Sequence, residues 1–205
     1  MKKILFFFLI VNAVFGQQKE IETFVNPNGN WFFGAEVGLN TIASYQFNEN
    51  NNSVQGGLTA EYYFARHWSL VGRLKYFKTG LSFKNTKGYN VFNGAVLAIP
   101  VTIKWEFRIH KNFSGFAKAG FVLNQEVKSD YNYAGSPNAG YPKSFGSFNS
   151  GIGLNYFINK TTAVYVDFET YVLGNDRQDD DFLKLLPVST NNQLINFGIK
   201  HNFKK

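Results

Sequence analysis

The chain has 205 residues, a formal charge of +7, 18% aromatic residues and no cysteine. The lack of cysteine excludes a disulfide scaffold, a thiolate metal site and a cysteine nucleophile. The positive excess is spread along the chain without a basic block or motif, so no nucleic-acid partner is expected.

Lys2 and Lys3 precede an apolar run, Ile4 to Phe15, broken only by Asn12, and small Gly16 stands before Gln17. This pattern predicts a cleaved secretory signal peptide over 1–16, since the run is shorter than the roughly 20 residues of a membrane-spanning helix. The formal charge falls from +7 to +5 once Lys2 and Lys3 leave with it. Gln17 in place of cysteine speaks against a lipoprotein. Residues 17–29 are expected to be a polar periplasmic segment, and 30–203 a single domain.

Eight stretches then alternate with period two, the signature of strands with two unlike faces. They are predicted near 30–46, 53–65, 68–83, 91–108, 113–127, 145–158, 162–174 and 192–203. Tight turns are expected at Arg66-His67, Ile109 to Asn112 and Asn159 to Thr161. The other connections, Phe47 to Asn52, Lys84 to Asn90, Lys128 to Ser144 and Asn175 to Asn191, read as mostly longer and rich in Asn, Asp, Gly and Tyr. Outer-membrane barrels have short periplasmic turns and longer outside loops, and an even strand number returns both termini to one side.

One parity of these strands is apolar: Phe33, Ala35, Val37 and Leu39 in the first, Ala95, Leu97, Ile99, Val101 and Ile103 in the fourth, and Ile195, Phe197 and Ile199 in the last. Lys78 is its one charged exception, near a loop end where a lysine reaches headgroups. The opposite parity carries Glu36, Glu61, Arg73, Lys75, Lys104, Glu106, Arg108, Lys118, Glu126, Asp167, Glu169 and Lys200. An eight-stranded barrel is only wide enough inside for side chains to fill. Six acids and six bases there predict a paired network plugging the lumen, because unpaired buried charges are heavily penalised. Trp31, Trp68, Trp105 and Phe203 share the apolar parity at the short-turn side, as a periplasmic aromatic girdle requires. Tyr45, Tyr76, Tyr89 and Phe148 are candidates for the opposite girdle. The fold class expected is all-β: an eight-stranded antiparallel up-and-down transmembrane β-barrel in a bacterial outer membrane.

The stretch Leu97-Ala98-Ile99-Pro100-Val101-Thr102-Ile103-Lys104 resembles the apolar-Ile-Pro strand of the PorT-like outer-membrane barrel family. Ile195 to Phe203 is similar to that family's last strand and to the aromatic-ended terminal strands of OmpX-like and OmpA-like barrels. The resemblance covers Trp31 to Phe203 and implies insertion by the barrel-assembly machinery, which reads the terminal strand. Lys204 and Lys205 depart from the pattern by following the aromatic Phe203. Pro100 cannot donate to a ladder, and a bulge is expected there.

Chemistry is sparse. His67 and His110 are expected in periplasmic turns and His201 on the lipid face near them, out of reach of a nucleophile at the outer mouth. Asp167 and Glu169 read as salt-bridge partners rather than an acid–base pair. No enzymatic activity, cofactor or resident metal is expected. Asp176, Asp179, Asp180 and Asp181 lack calcium-loop spacing and read as a solvated acidic loop. Phe182 to Pro187 is unusually apolar, and Tyr131, Tyr133 and Tyr141 have the composition of an adaptable binding surface. The expected partners are outer-membrane lipid and, through loops 128–144 and 175–191, a surface or secretion partner, with the barrel a monomer. The role expected is envelope integrity, surface interaction or assistance to a secretion apparatus. The alternative is a secreted or periplasmic lipocalin-like barrel, with apolar residues lining a ligand cavity.

Overall fold

The computed structural model describes residues 27–44, 49–85, 88–132, 144–172 and 192–203. The expected signal peptide and most of segment 17–29 lie outside the described residues. So do Tyr45, the acidic cluster at Asp176–Asp181, the apolar run Phe182–Pro187, Tyr133, Tyr141, and the side chains of Tyr89 and Tyr131.

Eight strands form the wall: β1 (Trp31–Ser44), β2 (Glu49–Ala65), β3 (Trp68–Asn85), β4 (Gly88–His110), β5 (Phe113–Asn132), β6 (Ser144–Phe157), β7 (Thr162–Val172) and β8 (Asn192–His201). Each pairs antiparallel with its neighbours in chain order. β8 then closes on β1, from Phe33 opposite His201 to Ile42 opposite Asn192. Closure leaves no row of unpaired N–H and C=O groups, which is the condition for a sheet to stand in hydrocarbon. No described helix is long and apolar enough to cross a membrane; in this protein the crossing elements are strands.

The first six strands run past the roughly 9–11 residues that a tilted strand needs to span a bilayer, while β7 and β8 stay within that length. β4 has 23 residues and β5 has 20. This changes two expected connections. Pairing continues to Ser44 opposite Glu49 and to Asn85 opposite Gly88, so the expected loops at Phe47–Asn52 and Lys84–Asn90 are largely strand. Polar side chains do not stop a ladder outside the membrane, because backbone bonding is indifferent to them. His110 is likewise the last residue of β4 and not a turn residue, and the turn is Lys111-Asn112.

The expected bulge at Pro100 is absent. Gly72 faces Val101 and Lys75 faces Ala98, so the β3–β4 register is the same on both sides of the proline. Bridging simply lapses opposite Arg73 and Leu74, as a residue without an N–H allows. The register shifts fall elsewhere, at Tyr63/Ala65, Ala95/Val96 and Arg108/His110. At the second, Val127 of β5 is the extra residue, so β4 keeps its alternation: Ala95 stays on the expected lipid-face parity opposite exposed Lys78 and Lys128, although it is itself only 2% exposed.

Elsewhere the outer wall is apolar and uncovered. Val54 and Phe121 are more than 70% exposed, and Leu58, Val37, Ile152 and Phe197 stand out beside them. The inward parity is buried in two apolar layers with polar side chains between. Phe32, Tyr63, Phe157 and Ala163 form the layer at the short-turn end. Phe77, Val96, Ala98, Val122, Tyr171 and Leu194 form the one toward the other end.

Candidate functional site: the filled lumen

Side chains of all eight strands meet between those layers. The twelve charged residues singled out in the sequence are all buried, with Lys75 and Glu169 fully so. They do not form one network. Among the described residues, eleven divide into two clusters, while Glu126 lies toward the end opposite the short turns, at the register of Val96.

The central cluster is neutral, with Glu36, Asp167 and Glu169 facing Arg73, Lys75 and Lys118. The Arg73 guanidinium reaches Asp167 at 2.7 Å, Glu36 at 3.2 Å and Glu169 at 3.6 Å. Lys75 pairs with Glu36 at 2.8 Å and also with Glu169. Lys118 lies 2.5 Å from Asp167 and 2.7 Å from Glu169. Neutral groups take the remaining lone pairs: Asn196 donates to Asp167 and Glu169, Asn149 to Glu169, and Tyr165 to Glu36 at 2.6 Å. The Tyr165 ring lies over Gly198, its register partner on β8, to reach Glu36 on β1, and an added Cβ at Gly198 would stand 2.3 Å from the ring. That position has room for glycine only.

In the cluster at the short-turn end, among the described residues, Lys104, Arg108 and Lys200 face Glu61 and Glu106. Lys104 pairs with both acids, Lys200 with Glu61 at 2.6 Å, and Arg108 with Glu106 at 3.3 Å. Ser69 donates to Glu61, while Ser114, Tyr63 and Asn155 donate to Glu106. All three cations of this cluster also lie over ring faces. Lys104 is 4.9 Å from the Tyr63 and Phe116 centroids, Lys200 is 5.3 to 5.9 Å from Tyr63, Phe32 and Phe157, and Arg108 is 5.2 Å from Phe157. Ring quadrupoles attract a desolvated cation with about 2 kcal/mol or more. The apolar layer at this end is thus also part of the charge compensation.

Counting signs along the sequence missed the partition into clusters, the tyrosines and the ring faces. A signal was present: Phe32, Tyr63, Phe116, Phe157, Tyr165 and Tyr171 all have the polar parity, unusual positions for aromatics if lipid were their only use.

The four residues of the expected short-turn girdle sit on the outer surface. Trp31 and Phe203 are exposed, Trp68 less so, and Trp105 is half-buried. Trp31 packs on Tyr62 and Phe33, Phe33 on Phe203, and Trp105 on Phe107. Toward the other rim, Tyr76 and Phe148 are also exposed. The histidines are scattered. His67 Nδ1 lies 2.9 Å from the Glu106 carbonyl oxygen, His110 is exposed, and His201 Nδ1 lies 2.9 Å from Thr162 Oγ1. No group of three or more His, Asp or Glu among the described residues is arranged to hold a metal.

A closed antiparallel barrel, apolar and aromatic outside and charged within, is the build of an outer-membrane barrel protein. The sequence agrees: residues 20–203 match the family model described as outer membrane protein beta-barrel domain, and the chain belongs to that family. The protein is therefore placed in the bacterial outer membrane.

Solved structures of the same fold include the outer membrane protein OprG of Pseudomonas aeruginosa, at 12% identity and a TM-score of 0.63, covering 88% of this chain and 100% of that one. Neisserial surface protein A aligns at 11% identity and a TM-score of 0.57, covering 84% and 97%. The attachment invasion locus protein Ail of Yersinia pestis, solved with the heparin analogue sucrose octasulfate, aligns at 15% and 0.54, covering 86% and 99%. No curated protein sequence matches significantly. The lipocalin-like alternative is not favoured, since its apolar residues would line the cavity and here they clothe the exterior. The narrower likeness to PorT-like and OmpX-like proteins is not among these findings, which support the small outer-membrane barrel class.

Proposed function

We propose that this protein is a non-enzymatic, non-conducting outer-membrane barrel that serves envelope integrity or surface interaction. In this reading Arg66-His67, Lys111-Asn112 and Ile158–Thr161 face the periplasm, and the connections around 133–143 and 173–191 face outward to meet a surface or secretion partner. The layered lumen supports the reading: two ionic clusters and two apolar layers of buried side chains are stacked inside the wall, with the Arg73 guanidinium shared by three carboxylates. An ion passing through would have to part buried pairs, and breaking one such pair costs about 3–5 kcal/mol.

Planar-bilayer recording of the purified protein tests this directly. The expected trace is flat, and large, steady conductance steps would overturn the proposal. Orientation is tested in intact cells with a membrane-impermeant thiol reagent on single cysteines placed at residues 138 and 160. Labelling at 138 alone is expected, and labelling at 160 alone would reverse the topology.

A further inference from the structure

The outer wall has a concave region, about 660 Å³ in volume, bounded by Ala35, Leu154, Tyr156, Val164, Phe197 and Ile199 on strands β1, β6, β7 and β8. That volume falls within the range of roughly 300–1,000 Å³ typical of small-molecule sites. Its lining is almost entirely hydrocarbon, and it opens on the face that the membrane covers. At its short-turn edge stand Phe113 of β5 and Tyr156 of β6, opposite each other in register.

The turns beside that edge are basic. Lys111 precedes Phe113 by two residues, and Lys160 follows Tyr156 by four; both are exposed. The two turns are tied together, since the Phe157 N–H donates to the Asn112 carbonyl at 2.8 Å. The third short turn also holds a cation, Arg66. The only described acids near this end, Glu61 and Glu106, are buried inside the barrel and bonded there. The described part of this rim therefore exposes cations and aromatic rings but no carboxylate.

We propose that the concavity seats an acyl chain of an anionic phospholipid of the periplasmic leaflet, its phosphate held by Lys111 and Lys160. Apolar walls suit the chain, and tyrosine and phenylalanine suit the level of the ester groups. Two lysines on joined turns favour a phosphate of net negative charge over a zwitterionic headgroup, whose choline would meet like charge. Assignment to the periplasmic leaflet rests on the orientation proposed above; preference for an anionic lipid does not.

The test is native mass spectrometry of the protein purified from membranes in non-ionic detergent and titrated with phosphatidylglycerol or phosphatidylcholine. Phosphatidylglycerol should be retained more tightly. K111Q and K160Q should each weaken its retention about fivefold, the size of one basic contact at an anionic surface. V164W should fill the concavity and lower retention with both lysines present, whereas K78Q, toward the opposite end, should change nothing. Circular dichroism and an unchanged unfolding midpoint establish that each variant is folded. Equal retention of both lipids, or indifference to K111Q and K160Q in folded protein, would overturn the proposal. So would a dimer excluding lipid, which would make the concavity an interface between copies. Because detergent has no sides, a failure here leaves the topology experiment standing, and reversed labelling in cells would withdraw the leaflet assignment alone.

Discussion

Asp167 shows what a buried charge commits the chain to. Its carboxylate faces both Arg73 and Lys118 and also accepts from Asn196. Asp167→Asn keeps the shape but leaves two buried cations short of a counter-charge. We expect a loss of about 3–5 kcal/mol, typical of removing one partner from a buried pair, measurable by urea unfolding in lipid vesicles. Gly198→Ala acts through volume rather than charge. An added methyl collides with the Tyr165 ring, whose hydroxyl is fixed on Glu36. Overpacking of this kind costs about 1–3 kcal/mol, and in a Y165L background, where the ring is gone, adding G198A should cost much less if that collision is the cause. Equal stability of wild type and G198A would show that the ring moves freely.

A strand in this protein is a boundary between two solvents, and β8 shows it. Ile195, Phe197 and Ile199 face out while Asn196 and Lys200 are buried. The register sets Phe197 against Val37 and Val166 in mid-strand, with Phe203 past the strand's end. A lipid-facing arginine costs about 2–4 kcal/mol at the bilayer midplane and about 0–1 kcal/mol near the interface. Phe197→Arg should therefore destabilise far more than Phe203→Arg in vesicle unfolding, and equal costs would remove β8 from the lipid boundary. The connections follow the same logic. Asn159 holds the β6–β7 turn by accepting from the backbone of Thr161 and Thr162, whereas polar residues beyond the other rim let strands continue as far as pairing persists.

For the molecule as a whole, closure is the decisive property. β1 and β8 are separated by most of the chain, yet they pair in a continuous ladder as long as that of β7 with β8. Backbone amides along this seam should thus be as protected from hydrogen exchange as those of β4 and β5, since open sheet edges exchange with solvent at low cost. Rapid exchange confined to β1 and β8 would mean that the barrel opens at its seam. Closure also fixes the lumen's width and brings residues far apart in sequence, such as Arg73 and Asp167, within 2.7 Å.

The sequence by itself determined the strand number, the two faces and the compartment. Alternation is a local property, and each strand in a closed barrel must satisfy hydrocarbon on one side and its own interior on the other. His201 and Asn202 could be assigned faces without knowing any neighbour. Local pattern did not carry the register. The lapse at Pro100, the extra residue in β5 opposite Ala95 and Val96 and the continuation of β4 to His110 depend on what stands opposite. Nor could a count of six acids and six bases show that Lys104 and Lys200 lean on aromatic faces while Arg73 is shared by three carboxylates. Those arrangements arise only when eight strands, each with its own stagger, are rolled around one axis, because that step decides which inward side chains meet at the same height.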